Sequence, residues 1–303
     1  MIRVHVNDPL DQEAMNLLKS KSQLDVTSEH LERDNLITLM PQIEVLIVRS
    51  ATKVTREIIE RGTKLKIIGR AGVGLDNIDV NAAKEKGVKV LNTPGASAIS
   101  VAELTFGLML SAARHIARGT KDLKEGLWTK KELEGYELFG KTLGIIGLGM
   151  IGKEVAKRAL AFGMNVIAYD PLVPGFEKVR IVDLVELYRS SDFITLHVPL
   201  TEQTKHMINA EAIEKMKDRV IIVNASRGGV IDEEALYNAL VSGKVYAAAF
   251  DVFEVEPPQD DLRKKLLKLP NVVATPHIGA STYEAQERVG KELVERIFSE
   301  LKI

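Results

Sequence analysis

The 303-residue chain has no cysteine, which excludes disulfides, thiolate catalysis and zinc–thiolate sites. It has almost no net charge, a formal −1 at pH 7, so nothing draws it in bulk toward nucleic acid or an anionic membrane. No apolar run approaches the ~20 residues needed to span a bilayer. A signal-peptide pattern is missing too, because Met1, Ile2, Val4 and Val6 read as the start of a strand. No internal repeat or low-complexity tract interrupts the chain. What remains is an ordinary soluble composition, with the cytoplasm as the expected location and no nucleic-acid or membrane partner. The length strains a single hydrophobic core and points to two domains.

The most informative stretch is residues 140–152. Thr142–Ile146 is a short apolar run bounded by glycines and reads as a buried strand. Gly147, Gly149 and Gly152 follow in G-x-G-x-x-G spacing, with Met150 and Ile151 opening a helix that continues through Val155, Ala156, Ala159 and Leu160. A second apolar run, Asn165–Tyr169, ends on Asp170. Each part suits a dinucleotide. The first glycine makes the tight turn, the second admits a pyrophosphate, and the third packs helix on strand. The helix N-terminus faces the phosphates. Asp170, about 20 residues on, would accept from ribose hydroxyls and repel a 2′-phosphate, so NAD is expected over NADP. A lone glycine motif is a weak signal, but strand, turn, helix, strand and terminal acid stand here in order.

Strand-like and helix-like segments alternate before this stretch. Residues 4–6, 45–48, 65–68 and 88–91 read as strands, Asp8 and Pro9 as the cap of a first helix, and residues 54–60 as another helix. One long helix is expected over residues 100–118, followed by a polar segment holding the only tryptophan, Trp128. Later strands are expected at residues 193–197, 220–224, 247–251 and 272–274. Asp183, Asn209 and Asp232 stand as N-caps, and Ser281 or Thr282 caps a final helix. The pattern is α/β: two doubly wound parallel-sheet domains, with the active site in the cleft between them. Residues 1–94 plus 281–303 form the substrate-binding domain of this reading, and residues 95–280 form the NAD-binding domain.

Three chemically capable residues lie just past expected strand ends, where open parallel sheets bind ligands: Arg227, Glu256 and His277. Taken singly, each is an ordinary solvated side chain. Together they form a carboxylate-gripping fork, an orienting acid and an imidazole that titrates near neutral pH. His5, His30, His115 and His206 show no metal-ligand spacing and read as structural or exposed, and no metal is expected.

These motifs together resemble the D-isomer-specific 2-hydroxyacid dehydrogenases. They are the glycine turn at 147–152, Asn224 to Gly228, Glu256 with Pro257, Pro276 to Gly279, residues 69–79, and Asn92 to Gly95. The likeness covers essentially the whole chain and is closest to the phosphoglycerate dehydrogenase branch. It implies NAD-dependent oxidation of 3-phospho-D-glycerate to 3-phosphooxypyruvate, the entry to serine synthesis, with Arg227, Glu256 and His277 catalytic. It also implies that His197, Pro199, Thr204, Asn224, Ala225, Ser226, Asp251, His277 and Gly279 line the cofactor, although His197 also reads as a structural strand-end residue. Substrate contacts are implied for Arg49, Ser50, Arg70, Gly72, Val73, Gly74, Asn92, Arg227 and His277. Arg49 and Arg70 would hold the phosphate, and Lys130 or Lys131 could add charge. A homodimer through the 100–118 helix is implied as well. Relatives in the serine pathway often carry a further regulatory domain; with the chain ending at Ile303, that domain and its feedback are not expected. Glyoxylate or hydroxypyruvate reduction is the alternative within the class, and a non-catalytic NAD-sensing protein the alternative outside it.

Overall fold

The computed structural model describes residues 1–303, which divide into two compact units. The smaller comprises Met1–Ala98 and Ala280–Ile303, the larger Ile99–Gly279. The first break falls after Ala98, where the sequence pattern puts it after residue 94, because Ala96 still packs into the smaller unit's core. No helix is long and apolar enough to cross a membrane.

The smaller unit runs β1 (Ile2–Val6), α1 (Gln12–Lys19), β2 (Leu24–Ser28), α2 (Arg33–Leu39), β3 (Val45–Val48), α3 (Arg56–Arg61), β4 (Ile67–Arg70), α4 (Val80–Glu85) and β5 (Lys89–Leu91). Its five strands pair in parallel in the order β2-β1-β3-β4-β5. Alternate residues serve opposite faces, as the strand period of two requires. Val45 and Ile47 face α1 and the final helix, whereas Leu46 and Val48 join Leu36, Ile58 and Ala83 on the other side. That final helix, Tyr283–Leu301, supplies Val289, Leu293, Val294, Ile297 and Phe298 to the smaller unit's core. Each such side chain contributes about 1.5–3 kcal/mol on burial.

The larger unit begins with α5 (Ala98–Arg114) and α6 (Ile116–Lys124). It continues through β6 (Thr142–Ile146), α7 (Met150–Ala161), β7 (Asn165–Tyr169), β8 (Arg180–Ile181), α8 (Leu184–Ser190) and β9 (Phe193–Leu196). It ends with α9 (Ala210–Lys215), β10 (Val220–Asn224), α10 (Glu233–Ser242), β11 (Val245–Phe250), α11 (Asp261–Lys268) and β12 (Val272–Ala274); the Tyr283–Leu301 helix is α12. The seven strands are parallel, in the order β12-β11-β10-β9-β6-β7-β8. Helices α5 and α7 cover one face through Phe106, Met109, Val155 and Ala159, and α8, α9 and α10 cover the other through Leu187, Ile213 and Leu236.

Three local expectations change. The long helix breaks at His115, which takes a left-handed conformation (φ 54°) and hydrogen-bonds Tyr246 Oη at 2.7 Å, so α5 and α6 are separate. Asp8 and Pro9 do not cap α1; Asp11 does, accepting from the Ala14 N–H at 2.9 Å. Strands β2 and β8 are additional, and both lie at sheet edges. The caps at Asp183, Asn209, Asp232 and Thr282 all accept a hydrogen bond from their own helix's first turn.

Candidate active site

In each sheet the strand order reverses once, and ligands of open α/β sheets bind outside the strand ends at that point. In the larger unit the switch lies between β6 and β9. Gly147 follows β6 with φ +93°, and a Cβ there would strike the His197 carbonyl after β9 at 2.5 Å. Gly152 sits against the Gly147 carbonyl, too close for any side chain. A Cβ on Gly149, by contrast, would meet nothing within 4 Å, and no side chain caps α7. An uncapped helix N-terminus beneath an open, side-chain-free approach fits the pyrophosphate of a dinucleotide. Asp170, past the end of β7, accepts from the Leu148 N–H at 2.7 Å through one oxygen and from the Leu172 and Val173 N–H groups through the other. Its carboxylate is therefore fixed beside the glycine turn, with one acceptor site left, on Oδ2, for a ribose hydroxyl.

His197 contributes a neutral ring. Its Nδ1 is shut off from solvent without a partner while Nε2 meets Thr195 Oγ1 at 3.0 Å, and burial pushes its pKa down to about 3. Thr204 Oγ1 donates to the Pro199 carbonyl at 2.6 Å and so closes the loop beyond β9.

Past β10, the Asn224 side chain folds the next turn. Its oxygen accepts from the Ser226 N–H and hydroxyl, and its amide donates to the Arg227 carbonyl at 2.9 Å. Arg227 Nη1 in turn donates to the Ser226 carbonyl at 2.7 Å. Past β11, the buried Asp251 is occupied by the loop after β12. It accepts from Thr275 Oγ1 (2.6 Å), the Ile278 N–H (2.8 Å) and the Gly279 N–H (2.7 Å). That grip presents His277, whose backbone is left-handed (φ 55°).

His277 Nδ1 lies 2.8 Å from Glu256 Oε2, and Glu256 Oε1 accepts from the Phe253 N–H at 3.0 Å. The Glu256 hydrogen bond raises the His277 pKa above its ordinary value, against the opposing pull of burial and of the Arg227 charge. Burial alone would raise Glu256, but its hydrogen bonds to His277 and Phe253, with the charges of His277 and Arg227, hold it below the usual carboxylate range. Arg227, Glu256 and His277 thus lie on one electrostatic neighbourhood of the larger unit.

The smaller unit gathers its own set. Its switch point lies between β1 and β3. Asp8, past β1, accepts from the Arg49 N–H (2.6 Å), the Thr52 N–H (3.1 Å) and Thr52 Oγ1 (2.7 Å). The Asn77 amide donates to the Arg49 and Thr52 carbonyls, both at 2.7 Å. The loop carrying Arg49 and Ser50 is therefore pinned from two sides. Arg70 ends β4 beside Val48 of β3, and its guanidinium lies over Gly72, where φ is +142° and any Cβ would overlap Nη1. Asn92 donates to the Val73 carbonyl at 2.7 Å, and the Thr93 N–H to that of Gly72 at 3.0 Å, which leaves the turn at 72–74 rigid. Sequence reasoning missed Asp8 and Asn77 as organisers of this loop. Only the strand order, which no local pattern reveals, puts Asp8 beside Arg49.

Comparison with known proteins agrees with this fold. Residues 106–279 match the family model for the NAD binding domain of D-isomer specific 2-hydroxyacid dehydrogenases. The chain is 70% identical over 302 residues to the hydroxypyruvate reductase of Thermotoga maritima, covering 99% of each. It is 54% identical over 304 residues to the D-3-phosphoglycerate dehydrogenase of Methanocaldococcus jannaschii, covering 98% of this chain but only 57% of that one. Among solved structures, the D-lactate dehydrogenase of Aquifex aeolicus, complexed with NAD and lactic acid, superposes with a TM-score of 0.86 at 33% identity, covering 99% of this chain and 95% of that one. With a matching family model over more than half its length and relatives this similar from end to end, the chain belongs to the D-isomer-specific 2-hydroxyacid dehydrogenases, with NAD as its cofactor.

Proposed function

We propose that Arg227, Glu256 and His277 interconvert a three-carbon D-2-hydroxyacid and its 2-oxoacid, and that the pair is D-glycerate and hydroxypyruvate. The observation that carries the chemistry is the 2.8 Å contact between His277 Nδ1 and Glu256. With Nδ1 engaged, Nε2 is the nitrogen left to meet the substrate oxygen. NAD, when bound, exchanges the hydride at C2. In the reducing direction the His277 imidazolium gives its proton to the C2 oxygen; in the oxidising direction the neutral ring takes it. Arg227 grips the substrate carboxylate and polarises that oxygen. In this reading backbone N–H groups of the turn at Gly72, Val73 and Gly74 hold the carboxylate, Asn92 fixes that turn, and Ser50 is a further substrate contact. Glycine-turn residues Gly147 to Gly152, Asp170, His197, Pro199, Thr204, the turn at Asn224, Ala225 and Ser226, and Gly279 shape the cofactor site in this reading. Asn224 and Asp251 act there by holding the turns that carry Arg227 and His277.

The identity of the substrate is supported by the Thermotoga maritima relative, which matches over 99% of both chains. A second reading, oxidation of 3-phospho-D-glycerate at the entry to serine synthesis, is favoured by Arg49 and Arg70 at the ends of neighbouring strands β3 and β4. Initial rates on hydroxypyruvate, glyoxylate and 3-phospho-D-glycerate, with NAD(H) and NADP(H), separate the readings. The highest kcat/KM is expected on hydroxypyruvate with NADH. A preference for phosphoglycerate would transfer the conclusion to the second reading, and no turnover on any of them would leave an NAD-sensing protein. A homodimer through α5 and α6 belongs to the same proposal, supported by the exposed Ile116, Leu123, Leu127 and Trp128. Light scattering after size exclusion tests it.

A further inference from the structure

Behind the His277–Glu256 pair lies a cluster of charges that the proposed chemistry does not use. Glu233, the first residue of α10, is 3% exposed, and Arg263, on α11, is 9% exposed. Arg263 Nε donates to Glu233 Oε2 at 2.6 Å, its Nη2 to Glu254 Oε2 at 3.2 Å, and its Nη1 lies 3.3 Å from Asp260 Oδ1. His206 Nε2 stands 3.3 Å from both Glu254 oxygens. Three carboxylates thus converge on one guanidinium, and two of the four side chains are taken out of water. Burial raises the Glu233 pKa, against the Glu254 N–H and the Arg263 charge. Such buried pairs are rarely a net source of stability relative to apolar packing, so the placement calls for another reason.

The reason lies in what Glu233 touches next. Its Oε1 accepts from the backbone N–H of Glu254 at 2.8 Å. One residue earlier, the Phe253 N–H donates to Glu256 Oε1. On the opposite side, Gly228 packs against this same backbone so tightly that a Cβ would overlap the Phe253 carbonyl and lie 2.6 Å from the Glu254 nitrogen. The two peptide units at Phe253 and Glu254 are therefore a common reference for the turn that carries Arg227 and for the acid that orients His277.

We infer that Glu233, held by Arg263, is a positioning residue that fixes the Phe253 and Glu254 backbone and through it registers both Arg227 and the Glu256–His277 pair. The inference rests on the proposed roles of those three residues. Glu233 touches neither substrate nor cofactor in it; its effect is transmitted through Glu256. Misplacing reacting groups by about 1 Å can cost on the order of 100-fold in rate.

The test follows the His277 imidazole directly, by NMR titration of the full chain labelled at histidine, alongside kinetics. Glu233→Gln is nearly isosteric and keeps an acceptor for the Glu254 N–H while removing the charge that holds Arg263. It is expected to lower the His277 pKa by part of the drop produced by Glu256→Gln, and to reduce kcat by about 10-fold or more with little change in NAD affinity. In a Glu256→Gln background the same substitution should leave the His277 titration where it is, since the path through Glu256 is already cut. Arg263→Lys, which keeps the charge but loses the fork, should repeat the pattern if Glu233→Gln proves unable to fold. An unmoved His277 titration in a folded Glu233→Gln or Arg263→Lys protein overturns the inference, as does an equal shift with and without Glu256. The expected titration pattern in a protein that turns over no 2-hydroxyacid would support the brace while refuting the proposed reaction.

Discussion

At the strand-order switch of the smaller sheet, the residues beyond β1 and β3 are Asp8, Arg49 and Thr52. At that of the larger sheet, beyond β6 and β9, they are Gly147, Gly149 and His197. The first site is built from fixed groups: a buried carboxylate satisfied by backbone donors, a pinned loop, and guanidinia at neighbouring strand ends. The second opens onto β10, β11 and β12, whose loops hold the His277–Glu256 pair with its pKa values displaced in opposite directions. In the proposed function, one architecture thus serves two tasks. A strand-end loop frozen by backbone hydrogen bonds suits recognition, and one that ends in an imidazole–carboxylate contact suits chemistry. Changes in the larger unit should appear in kcat and its pH dependence, those in the smaller unit in KM and substrate choice.

The largest effect is expected from His277→Ala. Turnover should fall at least ~100-fold, the usual scale for a positioned acid–base group, while calorimetry still registers NAD binding. A smaller fall would move the proton to another group and dissolve the division of labour.

Next comes the smaller unit. Arg49→Ala and Arg70→Ala should raise KM more than they lower kcat. Charge-assisted hydrogen bonds to a phosphate are worth about 1.5–3 kcal/mol each, so the rise should reach tens-fold on 3-phospho-D-glycerate and stay modest on hydroxypyruvate. Equal rises on both substrates would remove the phosphate from these arginines.

Glu256→Gln sharpens the comparison through pH. The Glu256 hydrogen bond raises the His277 pKa, so the imidazolium needed for reduction survives to higher pH in the wild type. Without the charge, the reductive kcat/KM should begin its fall at lower pH, and the oxidative profile should rise earlier. A shift of about one unit corresponds to on the order of 10-fold in the reductive rate at pH above both pKa values. Superimposable profiles would detach Glu256 from the proton.

The smallest effect is expected at Asp170. Asp170→Ala should weaken NAD several-fold, the equivalent of about 1 kcal/mol, and narrow its preference over NADP. A wild type that already uses both cofactors equally would show that this carboxylate does not select.

The sequence made one strand of the smaller unit and most of the larger unit's sheet readable. Val45–Val48, Thr142–Ile146, Asn165–Tyr169, Val220–Asn224 and Val272–Ala274 coincide with strands residue for residue, because parallel strands covered on both faces are unbroken apolar runs. Leu24–Ser28 was not legible, since an edge strand with Asp25 and Thr27 carries little apolar signal, and Arg180–Ile181 is only two residues long. The break at His115 depends on a left-handed residue that no glycine announces, stabilised by Tyr246 far along the chain. Arg227, Glu256 and His277 could be singled out as candidates because each follows a recognisable strand. Glu233 and Arg263 could not: thirty positions apart, they look like solvated surface charges until the fold removes the water.

The placement of α12 bears on the order in which the molecule can be made. Its residues Leu293 and Ile297 lie against Gly69 of β4, and Gly290 leaves room for Asp11 and Ala14 of α1. The smaller unit's first ninety-eight residues leave the ribosome early, yet the helix that shares one face of their sheet with α1 is translated only after the whole larger unit. The smaller unit therefore cannot complete its core in the usual amino-terminal-first sequence of cotranslational folding. The nascent β1, β3 and β4 have α1 on one apolar face but wait for α12 to complete its cover, while the larger unit, second in the message, draws no core residue from α12.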